Sequence, residues 1–292
     1  VSSQRISIAV VQAALGGDRE SNVARVEELI LEASSREAAI VVLPELFEDP
    51  YFCREENETN FSLAGTLDGH PTITRFAQLA RELEMVIPVP FFEKDGQSYY
   101  NSVAVVDADG SVIGRYRKSH IPDGPGYEEK FYFRPGTSGF RVWPTRYGSI
   151  GIGLCWDQWF PEAARSMVLD GADLLLYPSA IGSEPGRPDI DTRRSWRRVM
   201  AGHAVANAVP VAAATRIGAE GEQLFYGSSF VVDQCGEMVA ELGADAEGVA
   251  LADFDLEEVH RYRDWLGLFR DRRPELYSRL TDPDGKADSS SD

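Results

Sequence analysis

Cysteine is scarce in this chain of 292 residues: Cys53, Cys155 and Cys235 are far apart and odd in number. No CxxC pair occurs, which argues against both a disulfide framework and a zinc cage. A reducing cytoplasm, where a thiol stays free, is the expected compartment. Only four histidines occur, His70, His120, His203 and His260, and none clusters as metal ligands do. No apolar run approaches the roughly 18 residues of a membrane span. The N-terminal VSSQRISIAVVQAAL passes straight into strand-like alternation, unlike a signal peptide. Positive charge is also short: 29 basic residues stand against 47 acidic ones, a net charge of −18. That opposes nucleic acid or an anionic membrane as partner and permits a cationic small molecule. GxGxxG and GxxxxGK[ST] are both missing, so nothing supports nucleotide binding.

What is present is alternation of strands and helices. ISIAVVQAAL (6–15) reads as a strand, and NVARVEELILEA (22–33) spaces Val23, Val26, Leu29 and Ile30 as a helix does. AIVVLPEL (39–46), VIPVPFFE (86–93), NSVAVVD (101–107), SVIGRYRKS (111–119) and SIGIGLC (149–155) read as further strands. PTITRFAQLARELE (71–84) repeats the helical pattern, and a helix is expected from about Phe160 with Pro161 in its first turn. DLLLYPSA, a helix around SWRRVMAGHAVANAV, and four more strand segments follow. Apolar runs such as IVVLP and LLLYP suit sheets buried on both faces. No linker or repeat divides the chain, so one α/β domain over residues 1–280 is expected, with a C-terminal arm at about 262–280. DPDGKADSSSD reads as part of a disordered tail over 281–292.

Three polar residues close strong strands, where α/β sheets place ligands: Glu45 after IVVLP, Lys118 after SVIGRYR, and Cys155 after SIGIGL. Singly, each has an ordinary reading as loop carboxylate, surface cation or small core residue. Together they are chemically complete. A thiol attacks a carbonyl as the thiolate, a carboxylate can take its proton, and an ammonium with nearby N–H groups can hold the resulting oxyanion.

The stretches LPELF (43–47), GRYRKSHIPD (114–123) and GIGLCWDQWFPEAAR (151–165) resemble the nitrilase superfamily of carbon–nitrogen hydrolases. With EDPYFC (48–53), YPSAIGSEP (177–185) and FRDRRPELY (269–277), the chain resembles most the branch that hydrolyses N-carbamoylputrescine. The resemblance implies a four-layer α-β-β-α sandwich and a Glu–Lys–Cys triad. Cys155 would be the nucleophile, Glu45 the general base and Lys118 the oxyanion stabiliser. A second glutamate falls on Glu129, with Glu128 as the alternative. The Trp156 N–H would complete the oxyanion hole. No metal or cofactor is implied. Self-association through the arm, at least as a dimer, is.

Trp156 and Trp159 are expected as pocket walls or core, with Tyr51 beside the substrate. Glu184 and Asp123 are candidates for a distal ammonium, and ordinary loop carboxylates otherwise. Rival readings remain. Arg187 or Arg194 would suit a carboxylate-bearing ureide such as N-carbamoyl-β-alanine or a carbamoyl amino acid. His120 or His203 would suit a cysteine–histidine enzyme, and a non-enzymatic binding module on the same fold is the last.

Overall fold

The first strand, β1 (Arg5–Gln12), is buried almost throughout in the computed structural model, which describes residues 5–286. Its side chains enter two different cores. Ile6, Ile8 and Val10 face a second sheet, while Ala9 and Val11 face helices. Apolar residues at every position of a two-residue period are what a sheet covered on both faces requires.

The chain continues through α1 (Arg19–Ser35), β2 (Ile40–Val42), α2 (Pro71–Leu83), β3 (Ile87–Asp95), β4 (Ser98–Val106) and β5 (Val112–Arg117). Then come α3 (Glu129–Tyr132), β6 (Val142–Thr145), β7 (Gly148–Ile152), α4 (Pro161–Leu169) and β8 (Leu174–Pro178). After α5 (Arg193–Asn207) and β9 (Val211–Ala214) lies the hairpin of β10 (Ile217–Glu220) and β11 (Gln223–Tyr226). The last elements are β12 (Phe230–Val232), β13 (Met238–Glu241), β14 (Gly248–Asp255) and α6 (Leu256–Leu266).

Two large sheets result. β14 and β2 flank β1, and a bridge from Ile40 to Val86 joins the meander β3-β4-β5 to this set. The second sheet has the order β13-β12-β9-β8-β7-β6, with β7, β8 and β9 parallel. Leu174 and Leu176 of β8 point between the sheets, and Leu175 and Tyr177 point under α4 and α5. α1 and α2 cover the outer face of the first sheet through Val26, Ile30 and Phe76. The result is the expected four-layer α-β-β-α sandwich.

Helix starts follow their signals. Asp18 caps α1 by accepting from Ser21 N at 2.9 Å, and Pro71 and Pro161 open α2 and α4. Strand ends depart from the sequence reading. β2 stops at Val42, short of the apolar run to Leu46. Pro44 has no N–H to give a ladder, and Leu46 turns the chain at φ +47°. β7 stops at Ile152, short of Cys155, and Gly153 lies against Tyr177, whose Cε1 would be 2.6 Å from an added Cβ.

In the arm, Trp265, Leu276 and Leu280 are exposed. Of the expected tail, residues 281–286 form an exposed turn closed by Gly285 N donating to Asp282 O at 3.0 Å, and 287–292 lie outside the described residues. Among the described residues no helix is long and apolar enough to cross a membrane.

Leu176 is fully buried between the sheets. Leu176→Ala should therefore cost about 2–5 kcal/mol in urea unfolding, and a loss below about 0.5 kcal/mol would contradict this packing.

Candidate active site

The ends of β2, β5 and β7 converge. Lys118, the residue after β5, places its Nζ 2.8 Å from Glu45 Oε1 and 2.7 Å from Glu129 Oε2, with all three side chains buried. Glu45 follows β2, and Glu129 opens α3. Asn101 Nδ2 donates to Glu45 Oε1 at 2.7 Å, so both hydrogen bonds to this carboxylate fall on one oxygen. The other, Oε2, is buried and has no hydrogen-bond partner among the described residues. Glu129 Oε1 accepts from the Tyr51 hydroxyl at 2.9 Å.

Electrostatics follow from burial. Desolvation works to strip the Lys118 proton, but Glu129 and Glu45 outweigh it and hold the ammonium well above its ordinary pKa. Burial, opposed by Lys118 and reinforced by Glu45, pushes the Glu129 carboxyl up to about 7. Burial and then the Glu45 charge push the Cys155 thiol well above its usual range, against the pull of Lys118. The resting sulfur is therefore neutral and needs a base to become the attacking thiolate.

Cys155 opens a 3₁₀ turn, Cys155–Trp159, at φ +38°, a backbone conformation rare for any residue but glycine. Its Sγ lies 3.8 Å from Ala180 O. The α-helix itself begins only at Pro161, so the turn, not α4, presents its N-terminal end at the sulfur. Asp157 locks this turn. Its Oδ2 accepts from Leu154 N at 2.9 Å and the Tyr116 hydroxyl at 2.7 Å. Its Oδ1 accepts from His120 N at 3.0 Å and meets His120 Nδ1 at 2.7 Å. One buried carboxylate thus ties the segment carrying Lys118 to the turn carrying Cys155.

These contacts also decide on the histidines. The His120 ring is docked on Asp157 and stacked on Phe160 with centroids 3.6 Å apart. His203 Nε2 donates to Gln158 O at 2.8 Å from a buried position on α5. Neither bonds to Cys155, so the cysteine–histidine reading finds no support in this geometry.

Cys155 and Glu129 reach a cavity also lined by Asp123, Trp156, Trp159, Glu184 and Arg187. The segments around Tyr127 and Ser183 close one side. The Tyr127 hydroxyl accepts from Gly182 N at 2.9 Å and Gln223 Nε2 at 2.6 Å, and donates to Ser183 O at 3.2 Å. Trp156 is exposed at 40% beside Trp159, edge-on at 6.4 Å. Burial raises the Glu184 carboxyl, which has no ionic or hydrogen-bonding partner among the described residues. Arg187 is held by Asp189 through two contacts of 3.0 and 2.9 Å.

Two expectations need correction, and one alternative is resolved. Tyr51 does not line the cavity: it is fully buried behind Glu129, where its hydroxyl holds that carboxylate. Arg194 lies outside the cavity on the exposed start of α5. Glu129, not Glu128, meets Lys118. Asn101, Tyr127, Asp157 and Gln158 were not singled out from the sequence. Asp157 and Gln158 do fall inside the cysteine motif, which is the signal that could have found them.

A four-layer sandwich in which a buried thiol and the Glu129 carboxylate reach one cavity, backed by a clamped ammonium and a second carboxylate, defines a class, the thiol-bearing hydrolases of carbon–nitrogen bonds. The chain belongs to the carbon–nitrogen hydrolase family of the nitrilase superfamily, whose family model matches residues 7–264. It is similar to N-carbamoylputrescine amidase from Oryza sativa, 51% identical over 97% of this chain and 96% of that one. It is also similar to citrullinase from Francisella tularensis, 48% identical over 94% of this chain and 98% of that one. The crystal structure of a carbon–nitrogen hydrolase from Helicobacter pylori matches with a TM-score of 0.88 and 37% identity, covering 95% and 98% of the two chains. The protein is thus a hydrolase of carbon–nitrogen bonds other than peptide bonds.

Asp157→Ala should lower kcat about 100-fold through misplacement of Cys155 against Lys118 while leaving KM within about threefold. A change confined to thermal stability would contradict this. Protonating Glu129 removes one of the two anions that hold Lys118. The acid limb of kcat/KM should therefore lie near pH 7, far above the pKa of about 4.3 of an ordinary glutamate; a rate flat down to about pH 5 would contradict it.

Proposed function

We propose that this enzyme hydrolyses N-carbamoylputrescine to putrescine, ammonia and carbon dioxide, with Cys155 as nucleophile and Glu45 as general base. The observation that carries the reading is the free Glu45 Oε2, buried in the Lys118 cluster, on a carboxylate whose charge acts on the Cys155 thiol. The similarity to N-carbamoylputrescine amidases supports the substrate.

A neutral thiol sets the order of events. Glu45 takes the Cys155 proton as sulfur bonds to the ureide carbon, rather than before. Lys118 and the Trp156 N–H, at the open head of the turn, hold the oxyanion. When the tetrahedral centre collapses, Glu45 returns the proton to the leaving nitrogen and ammonia departs. A thiocarbamate of Cys155 remains, still carrying the diamine. Glu45 then takes a proton from water, whose oxygen adds to the same carbon, and the thiol leaves reprotonated. The carbamate released loses carbon dioxide to give the amine. Glu129 holds Lys118 in place, and Tyr51 holds Glu129.

The tail of the substrate carries an ammonium. Glu184 is a part-buried carboxylate of the cavity wall with no partner among the described residues, and the exposed Asp123 lies on the same wall. Trp156 and Trp159 supply apolar surface for the four-carbon chain. A carbamoyl amino acid is the second reading, favoured by the citrullinase relative and by Arg187 in the wall. Arg187 already faces Asp189, which leaves less of its charge for a carboxylate. N-carbamoyl-β-alanine would need the same arginine.

The wider setting belongs to this reading too. The product places the enzyme in polyamine biosynthesis, and the free thiols suit the cytoplasm. The catalytic domain extends to about residue 280. The exposed Trp265, Leu276 and Leu280 of its arm suit self-association, at least as a dimer.

A panel of ureides assayed for ammonia release tests the substrate. N-carbamoylputrescine should exceed citrulline and N-carbamoyl-β-alanine in kcat/KM, and the reverse order would overturn the choice. Cys155→Ala should abolish turnover, and Lys118→Ala should cost about 100- to 1000-fold. Glu184→Lys should raise KM for cationic ureides selectively. An equal rise for butylurea would remove Glu184 from the ammonium site.

A further inference from the structure

Gln158 is fully buried, lines the cavity with Cys155, and is only half satisfied. Its Oε1 accepts from Trp196 Nε1 at 2.6 Å and from Ser179 Oγ at 3.1 Å. An indole nitrogen can only donate, so the amide is fixed with oxygen toward Trp196 and nitrogen turned away. That nitrogen carries two N–H groups and has no acceptor among the described residues. Leaving a buried donor unpaired is costly, and such a group in a cavity wall points to a ligand.

Its neighbours set where that ligand atom lies. Gln158 is three residues after Cys155 in the 3₁₀ turn, and side chains at that spacing eclipse one another. Ser179, which holds the Gln158 oxygen, precedes Ala180, whose carbonyl lies beside Cys155 Sγ. The amide and the sulfur thus sit over successive residues at the end of β8. A ureide group offers several N–H donors but one acceptor, its carbonyl oxygen. Within a bound ureide, that oxygen is the acceptor for a donor beside the attacking sulfur.

We propose that Gln158 is a further catalytic residue, whose side-chain amide donates to the ureide carbonyl oxygen and to the oxyanion formed from it. With Lys118 and the Trp156 N–H it makes three donors, matching the three lone pairs of a tetrahedral oxyanion. The amide stays neutral and exchanges no proton. This rests on the reading of the substrate as a ureide.

Gln158→Glu tests it, since it keeps an oxygen for Trp196 and Ser179 and replaces the donor with an acceptor. Gln158→Met removes the donor without adding charge. Calorimetric titrations in a Cys155→Ala background use butylurea, N-carbamoylputrescine and putrescine as probes. Both Gln158 variants should weaken the two ureides by about 10-fold or more and change putrescine, which has no carbonyl, by less than about threefold. With Cys155 intact, kcat should fall about 100- to 1000-fold.

Parallel changes in all three probes would reduce Gln158 to a general structural role and overturn the proposal. So would unchanged ureide binding with slowed breakdown of the thiocarbamate, the signature of a donor to the hydrolytic water. Should N-carbamoylputrescine bind no tighter than butylurea with Gln158 intact, the substrate reading fails, and the butylurea comparison still decides on Gln158.

Discussion

The buried Lys118 ammonium, held between Glu45 and Glu129, is the constraint that the rest of the site answers to. A lone charge at that depth would give up its proton, and a lone carboxylate would take one. Two carboxylates around one cation keep the ammonium charged, while burial, and after it the Glu45 charge, keeps the adjacent thiol neutral. An oxyanion forming there would be repelled by the carboxylates were Lys118 absent. In the proposed mechanism Lys118 supports the transition state, while Glu45 adds to burial in suppressing the resting thiolate. Tyr51 and Asn101 fix the carboxylates, so the cation has little freedom to swing away.

The sandwich makes that cluster a site. Glu45 and Lys118 close strands of one sheet, and Cys155 closes a strand of the other. Packing of Ile8, Val10 and Val42 against Ile152, Leu174 and Leu176 sets the spacing between them. Asp157 fastens the join, because its donors come from both sheets: Tyr116 of β5 on one side and Leu154 after β7 on the other. The positive φ of Cys155 is a strained geometry held by these contacts rather than by the residue's own preference.

Much of this was legible in the sequence, and the reasons are physical. Runs such as IVVLP and LLLYP are apolar at every position because both sheet faces are covered, so buried strands announced themselves. Polar residues that end such runs are conspicuous, which brought out Glu45, Lys118 and Cys155. Glu129 has no such signal and came only through resemblance, as a one-turn helix leaves little periodicity to read. Tyr51 was assigned to the substrate, yet its hydroxyl is spent on Glu129. Asn101, Asp157 and Gln158 act through partners 20 to 60 residues away, and no local pattern encodes such contacts. The 3₁₀ turn Cys155–Trp159 was not anticipated, since Pro161 marks where α4 starts but not what precedes it.

The central claim is that one sulfur forms a bond to the ureide carbon while the diamine stays attached. Mass spectrometry of the enzyme quenched during turnover with N-carbamoylputrescine tests it most directly. The account predicts an adduct on Cys155 whose mass retains the four-carbon diamine joined through a thiocarbamate. Turnover with Cys155 unmodified at every quench time, or an adduct on Cys53 instead, would contradict it.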